Sequence, residues 1–145
     1  MKNIQLSTRA IIIKGDHMLF IKHSDHPVYY LVGGTIEHGE SSVETLEREL
    51  FEELKLHLEI DKLAIINERF LQFNGKPFHE VQFYYLLKNC DNINAIEGSN
   101  TDKTQETLHW LPIDKLTEYN VVPSFLKTYS FANIDKPEHI ITKEF

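Results

Sequence analysis

Between Glu40 and Glu53 the sequence ESSVETLERELFEE carries six glutamates and one basic residue, Arg48. Wound at about 100° per residue, Glu49, Glu52 and Glu53 fall at i, i+3 and i+4 on one stripe, beside the apolar stripe of Val43, Leu46, Leu50 and Leu54. Like charges at that spacing disfavour a helix by roughly 0.2–0.5 kcal/mol per pair, so the clustering calls for something positive. A hard divalent cation answers the chemistry, because Mg2+ and Mn2+ take carboxylate, carbonyl and water oxygens and usually keep several waters and substrate phosphates. Such a metal can polarise phosphoryl oxygens, deprotonate a water and neutralise charge on a leaving phosphate. The preceding Gly33–Gly34 turn would let backbone carbonyl oxygens approach it, and Arg48 can pin a carboxylate by a bidentate contact. A plain solvated acidic face is the competing reading of the helix taken alone.

The elements that must position these residues are legible around them. Ser41 followed by Glu44 is a capping-box pair, and the leucine spacing predicts a helix from about Ser42 to Leu54. Upstream, TRAIIIKGDHMLFIKH reads as a hairpin of two apolar runs about a Lys-Gly-Asp-His turn. A polar loop from Ser24 to Tyr30 then leads to a short strand at Tyr30–Val32. Downstream, LEIDKLAIINERFLQF and HEVQFYYLLKN form an expected antiparallel pair about Gly75–Lys76–Pro77. The segment from Asp91 to Thr107 reads as a loop, and LHWLPI as a short strand ended by Pro112. Leu116 and Val121–Tyr129 suggest short helical pieces, and the tail from Asp135 reads as weakly ordered or an edge strand. That order gives an α/β protein, a mixed sheet flanked by helices.

Composition bounds the rest. At 145 residues and 17.0 kDa, 41% hydrophobic and 26% charged, the chain has the size of one domain, 1–145, with one sizeable core. A net charge of −7 argues against a nucleic-acid polymer as partner. Cys90 is the sole cysteine, so no intrachain disulfide forms and a cytoplasmic location is expected. No run approaches the ~20 apolar residues that span a membrane. Neither GxGxxG nor GxxxxGK[ST] occurs, which argues against nicotinamide and P-loop chemistry.

Gly34, five residues, Glu40, seven residues and then Arg48-Glu49-Leu50-Phe51-Glu52-Glu53-Leu54-Lys55-Leu56 resembles the Nudix box, Gx5Ex7REUxEExGU with U aliphatic. Trp110-Leu111-Pro112 also sits where many members of that family carry a similar stretch. The resemblance implies a Nudix fold, an α/β/α sandwich with a mixed sheet, in which the box forms a loop-helix-loop that binds Mg2+ or Mn2+. It implies hydrolysis of a nucleoside diphosphate linked to another moiety by attack of water at phosphorus, on a nucleoside triphosphate, nucleotide sugar or dinucleoside polyphosphate. Carried over by position, Glu49, Glu52 and Glu53 are metal ligands and one of them is the base, Gly34 lies at the metal, and Glu40 and Arg48 hold the box together. A carboxylate from outside the box often completes such a site, and Glu106 is the candidate, with Glu80 and Glu97 as rivals. Two positions depart from the pattern. Lys55 replaces the glycine at which the helix usually stops, and Val32 stands where Pro is frequent before the glycine pair.

The remaining candidates have plainer readings. Phe70, Phe73, Phe78, Phe83, Tyr85 and Trp110 offer a base-stacking wall but pattern mostly as core. His79 and Glu80 could serve substrate recognition or form a hairpin rim, and His23 and His26 read as exposed. Lys22, Arg9 and Arg69 are candidate phosphate partners. The alternative to an enzyme is a nucleotide-sensing domain of the same fold without turnover, against which the intact Glu49, Glu52 and Glu53 count; an isomerase of the same fold would need further metal-binding residues. The expected partner is a small nucleotide, and the chain works as a monomer or homodimer.

Overall fold

The structure, a computed structural model, describes residues 3–95, 97–132 and 134–144. Its elements run β1 (Gln5–Ile11), β2 (Ile13–Lys14), β3 (His17–His23), β4 (His26–Tyr30), β5 (Gly33–Thr35), α1 (Ser42–Leu54), β6 (Ile60–Phe73), β7 (Lys76–Leu87), β8 (Glu106–Pro112) and β9 (Glu138–Glu144), with short 3-10 turns at Cys90–Asn92, Ile113–Glu118 and Ser124–Lys127. One sheet has the order β5-β1-β7-β6-β9. It is mixed, since β1 lies parallel to β7 and β6 to β9 while the other pairs are antiparallel. In the second sheet β3 pairs with β8 along its length and, at different residues, with β2 and β4.

Strand alternation divides the core in two. Ala10, Ile12, Val32 and Tyr85 face α1, where Leu46 and Leu50 are fully buried. Their neighbours Ile11, Leu31 and Tyr84 face the opposite way, onto Phe20, Leu116, Val121 and Leu126. The helix occupies Ser42–Leu54 as the leucine spacing requires, and its capping box is closed: Glu44 N donates to Ser41 Oγ and Ser41 N to Glu44 Oε1, both at 3.1 Å.

Three local expectations change. The first apolar run is not one arm of a hairpin: Gln5–Ile11 joins the five-stranded sheet, and only Ile13 and Lys14 turn back on Met18 and His17. Ile11 and Ile12 each need a buried partner on opposite sides, so the run passes from one sheet to the other between them. The strand expected at Tyr30–Val32 instead lies at His26–Tyr30, where Tyr29 and Tyr30 pair with Lys22 and Ile21. Leu31 and Val32 are buried linkers, and the Val32 carbonyl accepts Ala10 N. The C-terminal helical pieces are 3-10 turns, too short for α-helical propagation. The tail forms an edge strand on β6.

Lys55 holds the conformation that a glycine would: it caps the helix at φ 58°, ψ 31°, its N–H donating to Phe51 O at 2.9 Å. A residue with a Cβ in that region carries roughly 1–2 kcal/mol of strain. Lys55→Gly is therefore expected to raise unfolding free energy by about 1 kcal/mol, after allowing for glycine's extra freedom in the unfolded chain. Urea titration at constant m-value checks it, and a loss of stability would mean the Lys55 stem packs on Phe51 more favourably than the strain costs.

Candidate active site

The β1–β5 register brings the glycine turn against the helix. Gly33 pairs with Arg9 and Gly34 with Thr8, and at Gly33, φ 152°, an added Cβ would lie 2.0 Å from the Thr8 carbonyl oxygen. At Gly34 a Cβ would stand 2.4 Å from Glu49 Oε1, so the missing side chain is the space that Glu49 occupies. From α1, Glu49 and Glu53 enter a cleft of about 300 Å³. Glu106, the first residue of β8, enters it beside them, with Glu37 and Thr35 from the β5 side and Arg9, Tyr30 and Lys103 around it.

Glu53 is the electrostatic centre. It is 7% exposed, and its Oε2 is buried without a hydrogen-bond partner among the described residues. Burial first, and then the Glu49 carboxylate beside it, push its carboxyl up to about 9; Arg9 opposes the shift and Glu106 adds to it. Glu106 is also buried, accepting from Tyr30 Oη at 2.7 Å and from Thr101 Oγ1 at 3.0 Å. Burial and that bond to Glu106 raise the Tyr30 phenol, which therefore stays a donor.

Arg48 lies behind the cleft rather than in its lining. It grips Glu40 bidentately, Nε to Oε2 and Nη2 to Oε1 at 3.0 Å each, and sends Nη1 to Glu49 at 3.1 Å and to Glu52 at 3.4 Å. Those contacts hold the Glu40 carboxyl below its ordinary range, with Arg48 the largest cause and Thr45 assisting. Glu52, with a side chain 45% exposed, stands at the rim on Arg48 and does not line the cleft. Of the sequence candidates, Gly34, Glu49, Glu53 and Glu106 are thus brought together, and Arg48 and Glu52 adjoin them.

The rivals lie elsewhere. Glu97 is tied to His109 Nδ1 and the Trp110 N–H. Glu80 lies buried on the five-stranded sheet with Ser7 and Arg69. Phe83, Tyr85 and Trp110 pack on the α1 core, Phe70 stacks on His79, and Phe73 is exposed. His23 and His26 stack loosely on each other and Lys22 lies over Tyr29. Arg9 alone of the candidate phosphate partners lines the cleft. Sequence reasoning missed Tyr30, Thr101 and Lys103. Tyr30 carried no motif, but Lys103 is the only basic residue between Asp91 and Thr107, a usable signal.

Even with Glu53 protonated, Glu37, Glu49 and Glu106 against Arg9 and Lys103 leave the cleft net negative, an arrangement unsuited to a phosphate-bearing ligand without added positive charge. The orphaned Glu53 oxygen, its neighbour Glu49 and the all-oxygen donor set fit a hard divalent ion. Among the described residues no three His, Cys, Asp or Glu groups stand close enough to cage an ion by themselves.

The mixed-sheet α/β scaffold presents helix glutamates, Glu53 of them buried, beside a glycine turn. The NUDIX domain model matches residues 4–130, and the chain belongs to this family. It is 28% identical over 137 residues to a "Probable DHNTP pyrophosphohydrolase" of Lactococcus lactis subsp. cremoris, covering 91% of this chain and 75% of that protein. Among solved structures, the MutT protein of Bacillus halodurans superposes with a TM-score of 0.64 at 22% identity, over 85% of this chain and 78% of that one. An ADP-ribose pyrophosphatase of Streptococcus suis gives a TM-score of 0.59 at 18% identity, over 94% and 99%. At these identities the structural matches establish the shared α/β fold. Nudix hydrolases act on small nucleotides and generally use divalent metals, and no helix among the described residues is long and apolar enough to cross a membrane.

Proposed function

We propose that the chain, one Nudix domain over 1–145, is a Mg2+- or Mn2+-dependent enzyme that cleaves a phosphoanhydride bond in a heterocycle-bearing triphosphate or a related nucleoside diphosphate derivative. The observation that carries this reading is the partnerless, buried Glu53 oxygen facing a cleft it shares with Glu49 and Glu106. The relative named for DHNTP puts that compound on the substrate panel beside the common triphosphates.

Glu49, Glu53 and Glu106 would hold the metal, with the Gly34 backbone alongside and Glu52 at the entrance. When bound, the ion supplies charge neutralisation at the phosphoryl oxygens and acidifies a water. The chain's own residues do the rest. Arg48 fixes the rotamers of Glu49 and Glu52 by drawing both onto one guanidinium, while Tyr30 and Thr101 orient Glu106. Lys103 faces the same cleft and can meet a phosphate oxygen. One carboxylate of this glutamate set would accept the proton removed from the attacking water. Apolar packing of Leu46 and Leu50 of α1 with Ala10 and Val32 keeps the rear of the site dry.

The test is product release from a panel of triphosphates, DHNTP, nucleotide sugars and dinucleoside polyphosphates, with Mg2+, with Mn2+ and with chelator. Turnover that vanishes with chelator and returns with metal is the expected result. No turnover on any member, together with thermal stabilisation by a nucleotide, would replace the enzyme with a binding domain. The lone cysteine, Cys90, buried and therefore with its thiol raised, is consistent with a reducing cytoplasm.

A further inference from the structure

Arg9 and Tyr30 line a second pocket as well as the cleft, so the two spaces meet at these side chains. The second pocket, about 160 Å³, is smaller than the ~300 Å³ at which ligand sites usually begin. It therefore suits one ring system of a ligand whose remainder lies in the cleft. Its floor is the five-stranded sheet, with Arg9 from β1, Arg69 from β6, and Gln82 and Tyr84 from β7. Its walls are apolar or aromatic: Tyr30, Leu31, Val122 and Pro123.

The floor is polar where a sheet interior is normally apolar, and its polar groups form a chain. Tyr84 Oη donates to Gln82 Oε1 at 2.6 Å, Gln82 Nε2 to Glu80 Oε1 at 3.4 Å, and Ser7 Oγ to the same Glu80 oxygen at 2.6 Å. Arg69 faces the other Glu80 oxygen at 3.6 Å and Glu144 at 3.3 Å. Gln82 and Glu80 are 3% and 4% exposed. These bonds fix the Gln82 carboxamide with its oxygen occupied and one N–H left over, and they neutralise Arg69. Arg9 is different. One of its five N–H donors goes to Leu31 O at 3.0 Å, and among the described residues it forms no ion pair. The pocket thus offers donors while its own acceptors are engaged.

A donor-rich floor between apolar walls selects a flat ring that presents acceptors at its edge. A phosphate would satisfy the donors and waste the walls. Arg reads the paired oxo and ring-nitrogen acceptors of an oxopurine bidentately, whereas the amino group of adenine would set N–H against N–H. We propose that this pocket holds the heterocycle of the substrate, and that Arg9 and Gln82 select a 6-oxopurine-like ring over a 6-aminopurine. The proposal rests on the phosphohydrolase reading of the adjoining cleft only for the identity of what the ring is attached to.

The experiment is titration of the full chain with inosine and with adenosine, followed by NMR in chelator, where neither phosphate nor metal contributes. Inosine is expected to bind at least about ten-fold more tightly, as one bidentate contact of 1–3 kcal/mol implies. Arg9→Met should abolish the preference and Gln82→Met should reduce it, each variant first checked for a cooperative melt. Equal affinities, tighter adenosine, no binding of either nucleoside, or a preference that survives in both folded variants overturns the proposal. Should Arg9→Met not fold, Gln82→Met and the wild-type ratio decide. The substrate panel separates the two readings: metal-dependent turnover with GTP and ATP used equally leaves the hydrolase standing and removes the ring selectivity.

Discussion

Glu53→Gln is expected to lower metal-dependent turnover by about three orders of magnitude and, in chelator at pH 7.5, to make the protein more stable than the wild type by about 2 kcal/mol. The two effects have one cause. Glu53 sits buried with one oxygen unpartnered and the Glu49 carboxylate beside it, an environment that penalises its charge. Glutamine keeps the shape, carries no charge, and its amide N–H can donate to Glu49 as the protonated acid would. The stability gain is what the native chain forgoes to keep a ligand and base in the cleft. Kinetics with Mn2+ and a thermal melt in chelator read both signs. A variant that loses activity and also stability would make Glu53 a structural residue, and unchanged turnover would remove it from the catalytic site.

That liability was half visible beforehand. The spacing of Val43, Leu46, Leu50 and Leu54 against Glu49, Glu52 and Glu53 located the helix and its charged margin, because both follow from a period of 3.6 that needs no tertiary information. What the period could not do was rank the three glutamates. One turn of helix separates Glu49 from Glu53, yet Glu52 is drawn to the rim by Arg48 while Glu53 is buried near Arg9 of β1 and Glu106 of β8, and those two strands lie 40 or more residues away in sequence. Glu106 illustrates the same limit: its place beside Glu53 depends on the His23–Glu106 register of β3 and β8, which no local pattern encodes. The misplaced hairpin failed for a related reason, since four consecutive apolar residues, Ala10 to Ile13, satisfy two cores at once and alternation alone cannot show where a strand changes sheet.

The pH dependence of stability should invert between the metal-free and metal-loaded protein. Glu53 takes up its proton near pH 9 in the native state and near 4.5 in the unfolded chain. Between those values the native state holds a proton that the unfolded state has released. By linkage, the stability this proton confers is complete below pH 4.5 and is lost as pH rises through 9. The metal-free melting temperature is therefore expected to fall from pH 5.5 to pH 9, by roughly 5 °C or more if even a third of the shift is expressed. Glu40 does not confuse this window, because Arg48 lowers its carboxyl and the corresponding loss occurs at more acid pH. A divalent ion must displace the Glu53 proton to bind, so its affinity should rise with pH, at most about ten-fold per unit, and the stabilisation by a fixed Mn2+ concentration should grow across the same range. Melts at 0.5 pH intervals with chelator and with Mn2+ measure both slopes, and Glu53→Gln should flatten them together. A metal-free melting temperature that stays level or climbs toward pH 9 would show that Glu53 is ionised throughout, with its charge balanced by Arg9 rather than left for a metal to meet.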